Sequence, residues 1–111
     1  MHYSRIFSTK KQKVVSLAEF VTWAIRSSKL TNGIMIVAVQ GDAAMVVTCT
    51  TAAAHVILRD LQSAQYLANA FGFVTLPIYS RKLFPPGEGL FLLETDSKRS
   101  RRKVHLTLIG E

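Results

Sequence analysis

Apolar and polar positions change rhythm several times along this chain. Leu17, Ala18, Val21, Ala24 and Ile25 recur at helical spacing, and Phe20 and Trp23 widen the stripe. The pattern predicts an amphipathic helix over 16–28. Ser16 and Glu19 read as its capping box, in which the Ser16 hydroxyl accepts the Glu19 N–H and the carboxylate accepts the Ser16 N–H. Asn32-Gly33 is the turn signal that follows.

Residues 34–39 form the longest uninterrupted apolar run, and a second β-branched run follows Gln40-Gly41-Asp42. Propensity makes these the strands of a buried hairpin with Gly41 at its turn. A continuous apolar run has no decisive period, so a short helix over 31–40 stands as the alternative. Ala54, Ile57, Leu58, Leu61, Ala64, Ala68 and Phe71 then mark a longer helix, capped by Thr50 or Thr51 and stopped by Gly72. His55, Arg59, Gln62, Tyr66 and Asn69 repeat at the same spacing on another face.

Residues 73–79 read as a strand that Pro77 confines to an edge or an irregular segment. A loop stiffened by Pro85-Pro86-Gly87 follows, then a strand over 90–95. Val104, Leu106 and Leu108 alternate with Lys103, His105 and Thr107, the signature of a half-buried strand. Strands 90–95 and 102–109 pair most simply as a hairpin with the basic segment at its tip. Residues 1–13 are polar and basic and read as a flexible arm or an irregular lead-in ahead of a single domain over 14–111.

Composition narrows the class. The chain has 111 residues, 49% of them apolar, enough to build a core and too many for a disordered tail. Its formal charge of +7 and pI near 10.0 favour polyanionic partners. The charge is segregated. Lys10, Lys11 and Lys13 form one cluster, Arg81 and Lys82 a second, and Lys98, Arg99, Arg101, Arg102 and Lys103 a third, whereas residues 30–58 hold no Lys or Arg. Lone Cys49 reads as a small buried hydrophobe and suits a reducing cytoplasm. The opening residues lack the apolar core of a secretion signal, and no run is long enough to span a membrane. A soluble cytoplasmic protein without membrane contact is expected.

Candidate chemistry is sparse. His2, His55 and His105 have no metal-ligand spacing, no paired carboxylates stand out, and no glycine-rich phosphate loop is present. No catalytic residue, metal or cofactor is therefore expected, and the chain does not read as an enzyme. The third basic cluster is the strongest signal, because Arg and Lys at a hairpin tip reach phosphate oxygens. Thr50 and Thr51 offer hydroxyls at a helix start, with His55, Arg59 and Gln62 as further groove contacts. Phe84 and Phe91, near Arg81 and Lys82, suggest stacking on single-stranded bases.

The segment GEGLFLLETDSKRSRRKVHLTLIGE, residues 87–111, resembles the wing of MarR-like winged-helix regulators, small phage-type members in particular. Asp96, Arg99, Arg101, Leu106, Thr107 and Gly110 carry the resemblance. It implies an α+β fold, a small winged-helix-like single domain with a C-terminal β-hairpin wing. By the same resemblance the wing would touch DNA backbone or minor groove, and residues 50–61 would lie near the recognition helix. The function implied is transcription regulation through duplex DNA, with a homodimer as a further option. Composition alone leaves two alternatives: a basic interaction module or inhibitor on an acidic protein surface, and an RNA or single-strand binder.

Overall fold

A computed structural model describes residues 1–41, 43–62, 73–83 and 89–111, and of residues 60–62 the backbone alone. In chain order the elements are β1 (His2–Ser8), β2 (Val14–Ser16), α1 (Ala18–Ser28), β3 (Gly33–Val39), β4 (Ala44–Cys49), α2 (Thr51–Gln62), β5 (Phe73–Tyr79), β6 (Lys82–Leu83), β7 (Gly89–Glu94) and β8 (Arg101–Gly110). The strands form two sheets, ordered β1-β8-β3-β5-β6 and β2-β7-β4. All of the pairings are antiparallel.

Alternation decides which faces meet. Met35 and Val37 of β3 and Val104, Leu106 and Leu108 of β8 point inward from the larger sheet, where they join Leu17, Phe20 and Ala24 at α1. Leu90 and Leu92 of β7 complete that core from the smaller sheet. The intervening residues Phe91 and Leu93 pack the other way, against Ala54 and Leu58 of α2. β7 is thus buried on both faces, which is why residues 90–93 are apolar without a break. Burial of each such Leu or Phe contributes about 1.5–3 kcal/mol.

This arrangement replaces the winged-helix expectation. β7 and β8 are not a hairpin: β7 pairs with β2 and β4, while β8 pairs with β1 and β3. The basic segment between them crosses from one sheet to the other and is no wing tip. β3 and β4 are strands, as expected, with Gly41 in the turn between them, yet they too lie in different sheets. Both misread pairings join strands that are neighbours in sequence and belong to different sheets.

Two local expectations also change. Residues 2–8, read as part of a flexible arm, are a strand paired with β8 from His2↔Thr107 to Ser8↔Arg101. Tyr3, Arg5 and Phe7 face α1. The Arg5 guanidinium lies over the Phe20 ring at 4.6 Å and hides the apolar alternation. The capping box does not form either. Ser16 ends β2 opposite Phe91, and its hydroxyl accepts the Ala18 N–H at 3.3 Å, while Leu17 caps α1 without a side-chain bond. Among the described residues, no helix is long and apolar enough to cross a membrane.

On the outer face of the larger sheet, His105 stacks on His2 with ring centroids 5.5 Å apart. Partial burial, then Lys103 and His2, lower its pKa. The unfolded chain therefore holds this proton more readily than the folded one, and stability falls as pH drops through about 6.5 and below. His105→Gln is expected to flatten that stretch of the stability curve. Thermal melts on either side of the window check it, and an unchanged slope would contradict it.

Candidate functional site

The alternation of β8 also places charge. Arg102 is in phase with Val104, Leu106 and Leu108, so its side chain enters the interior, where it is 2% exposed. Arg101 and Lys103 are out of phase and exposed. Glu94 is in phase with Leu90 and Leu92 on β7 and reaches the same interior from the other sheet, fully buried. The two meet as a bidentate pair: Arg102 Nε donates to Glu94 Oε1 at 2.8 Å and Nη2 to Oε2 at 2.7 Å. The Thr9 hydroxyl donates to Oε1 at 2.9 Å and the Asp96 N–H to Oε2 at 3.3 Å. Such forked geometry, with the carboxylate further bonded, is what a charge taken out of water requires.

The far side of Arg102 faces a cleft. Its Nη1 donates to the Gln40 carbonyl at 3.2 Å. Gly41 follows at φ +96°, in the left-handed region that suits glycine. A Cβ there would stand 2.5 Å from Arg102 Nη1 and 3.2 Å from Arg99 Nη2. Two guanidinium groups thus close on a bare stretch of backbone. The cleft measures about 420 Å³, and Gln40, Gly41, Arg99, Arg101, Arg102 and Lys103 line it. Ile6 forms its apolar edge. No carboxylate is among the described lining residues. Glu94 answers the charge of Arg102 from behind, and Arg99, Arg101 and Lys103 remain at the mouth.

One residue of the first basic cluster, Lys13, reaches the backbone of the third, although none of the first cluster lines this cleft. The Thr9 N–H donates to the Ser100 carbonyl at 2.9 Å, and Lys13 Nζ to the Arg99 carbonyl at 3.4 Å. Lys98 sits on the adjoining turn, with its N–H bonded to Asp96 Oδ1 at 2.9 Å. Arg81 and Lys82 lie apart, at the other end of the larger sheet. With Arg26 and Lys29 they surround a separate cleft of about 360 Å³.

The helix residues expected to read a groove are divided. Thr50 caps α2, its hydroxyl accepting the Ala53 N–H at 3.2 Å. Thr51 and His55 border another cleft, beside Lys11 and Lys13. Arg59 is exposed and lines neither of these. The side chain of Gln62, and Tyr66 and Phe84 altogether, lie outside the described residues. Phe91 is packed beneath α2, 7% exposed, and lines a different cleft from Arg81 and Lys82, so it does not stand beside them as expected. Glu94 was not singled out in the sequence, and Gly41 only as a turn residue. The parity of Arg102 within β8 was the available sign that a buried acid had to exist.

No family model matches the sequence, and no curated protein matches it. Solved structures do. A YbjQ-like protein of unknown function from Sulfolobus solfataricus superposes with a TM-score of 0.85 at 21% identity, covering 100% of this chain and 97% of that one. A hypothetical protein from Aeropyrum pernix gives 0.82 at 16% identity, covering 100% and 99%. An uncharacterized conserved protein of the YjbQ/UPF0047 family from Clostridium acetobutylicum gives 0.75 at 21%, covering 98% and 99%. At these identities the likeness concerns the fold. A β-rich chain with two described helices, similar over its whole length to such proteins, is not a MarR-like winged helix. The DNA-binding transcription regulator drawn from that resemblance falls with it, since nothing in these neighbours points to DNA.

Proposed function

We propose that the protein binds a small phosphate-bearing anion in the cleft beside Gly41. The observation that carries this reading is the approach of Arg99 and Arg102 to a glycine backbone in a concave site without a described carboxylate. Guanidinium forks match phosphate oxygens in pairs, and Lys103 adds a point charge. The Glu94 pair occupies the fork of Arg102 and fixes its guanidinium at the base of the cleft, so the exposed Arg99, Arg101 and Lys103 are the groups that meet the anion. Arg99, Arg101 and Lys103 are exposed, so attraction at the mouth weakens with salt. The role is one of binding and not of catalysis. A cytoplasmic setting suits Cys49, which forms no disulfide.

Isothermal titration with inorganic phosphate and pyrophosphate tests it. Pyrophosphate is expected to bind more tightly than phosphate, because it reaches more of the cations at once, and both affinities fall as salt is raised. Absence of binding at millimolar concentration and low ionic strength overturns the proposal and turns attention to acidic protein surfaces.

A further inference from the structure

A second cleft lies beneath the Lys10–Lys13 stretch, between β2 and α2, and its lining shares no residue with the cleft beside Gly41. It measures about 570 Å³, larger than the first and within the usual range for small-molecule sites. Its floor is apolar: Val14, Leu58 and Phe91. Leu58 and Phe91 are 8% and 7% exposed, so the floor is held by core packing from two elements. The rim is cationic and polar, with Lys11 and Lys13 on one side and Thr51 and His55 on the other.

We infer that this cleft binds a small amphipathic carboxylate, whose apolar body lies on Leu58 and Phe91 and whose anionic head faces Lys11 and Lys13. Two features of the cleft select that class. An apolar floor without buried acceptors gains nothing from a sugar or a nucleotide but does gain from hydrocarbon. A rim with two lysines and no acidic residue among its described lining favours one negative group over a neutral alcohol. Lys13 donates one proton to the Arg99 carbonyl and keeps others for a ligand. That bond also fixes where its ammonium sits. Lys11 and His55 are exposed at the mouth and are positioned to move onto the head group.

Octanoate is the probe, with octanol as its uncharged counterpart, and amide chemical-shift mapping of the full chain is the readout. Octanoate is expected to shift residues 11–16 and 51–58. The Lys11→Glu/Lys13→Glu variant weakens octanoate at least about tenfold, the scale of one hydrogen bond to a charged group. Octanol binds more weakly than octanoate to the wild type and responds less to the variant. Saturating pyrophosphate leaves octanoate binding in place, which separates this site from the one beside Gly41. The inference is overturned if octanoate produces no shifts in these segments, if octanol matches octanoate, or if pyrophosphate displaces it. Failure of pyrophosphate to bind at all leaves the octanoate result standing, because the two clefts share no lining residue.

Discussion

Truncating Glu94 to alanine is expected to cost about 3–5 kcal/mol of folding stability, since it removes one partner of a buried, hydrogen-bonded ion pair. Both side chains are at or near zero exposure, and the pair is bidentate. The loss reaches further than one contact. Thr9 loses the nearer of its two acceptors, keeping the Arg99 carbonyl at 3.4 Å, and the Asp96 N–H loses its own, so the crossing from β7 to β8 and the chain after β1 loosen together. Arg102→Met should cost a comparable amount. The double variant Glu94→Leu/Arg102→Met should recover part of the loss, because no buried charge then remains from the pair. Urea unfolding of the four proteins measures this directly. A cost for Glu94→Ala below about 1 kcal/mol, the range of a solvated surface pair, would contradict the burial.

The complementary change spares stability and removes binding. Arg99→Ala/Arg101→Ala/Lys103→Ala deletes three exposed cations from the mouth of the cleft and leaves the Arg102–Glu94 pair in place. Pyrophosphate affinity is expected to fall at least about a hundredfold, as two or more charge-assisted hydrogen bonds are lost. The unfolding midpoint should stay close to that of the wild type, since surface substitutions away from packed features typically change stability by about 0.5 kcal/mol or less. A variant that binds pyrophosphate as well as the wild type places the anion elsewhere.

Much of the local structure was legible in the sequence, and much of the pairing was not. The helical stripe from Leu17 to Ile25 and the alternation of Val104, Leu106 and Leu108 each carry their own period, the runs flanking Gly41 read as strands by β-branched propensity alone, and each became the element it suggested. Pairing depends on a different quantity, the apolar surface offered by distant strands. Hairpins between neighbours are the economical guess, and here β3–β4 and β7–β8 both fail because β3 and β8 belong to one sheet while β4 and β7 belong to the other. The unbroken apolar run at residues 90–93 was the overlooked clue. A strand with apolar residues on both faces needs a layer on each side, and a solvated wing offers one at most.

The candidate site was half visible for the same reason. Charge density drew attention to residues 98–103, and most of them do surround one cleft. Treating them as a uniform set hid the difference in parity that separates Arg102 from Arg101 and Lys103. Arg102 is a structural anchor whose outer nitrogen also reaches the cleft. The long-range meeting of Lys13 with the Arg99 backbone, and of Gly41 with two guanidinium groups, depends on the packing of the two sheets. No local pattern announces such contacts.

The most direct test of the central claim is an amide chemical-shift titration of the wild-type protein with pyrophosphate at low ionic strength. Shifts concentrated at Gln40, Gly41 and residues 99–103, with the Arg26–Lys29–Arg81–Lys82 end unmoved, are the expected result. Shifts concentrated at that opposite end, or none in either place, would contradict the account.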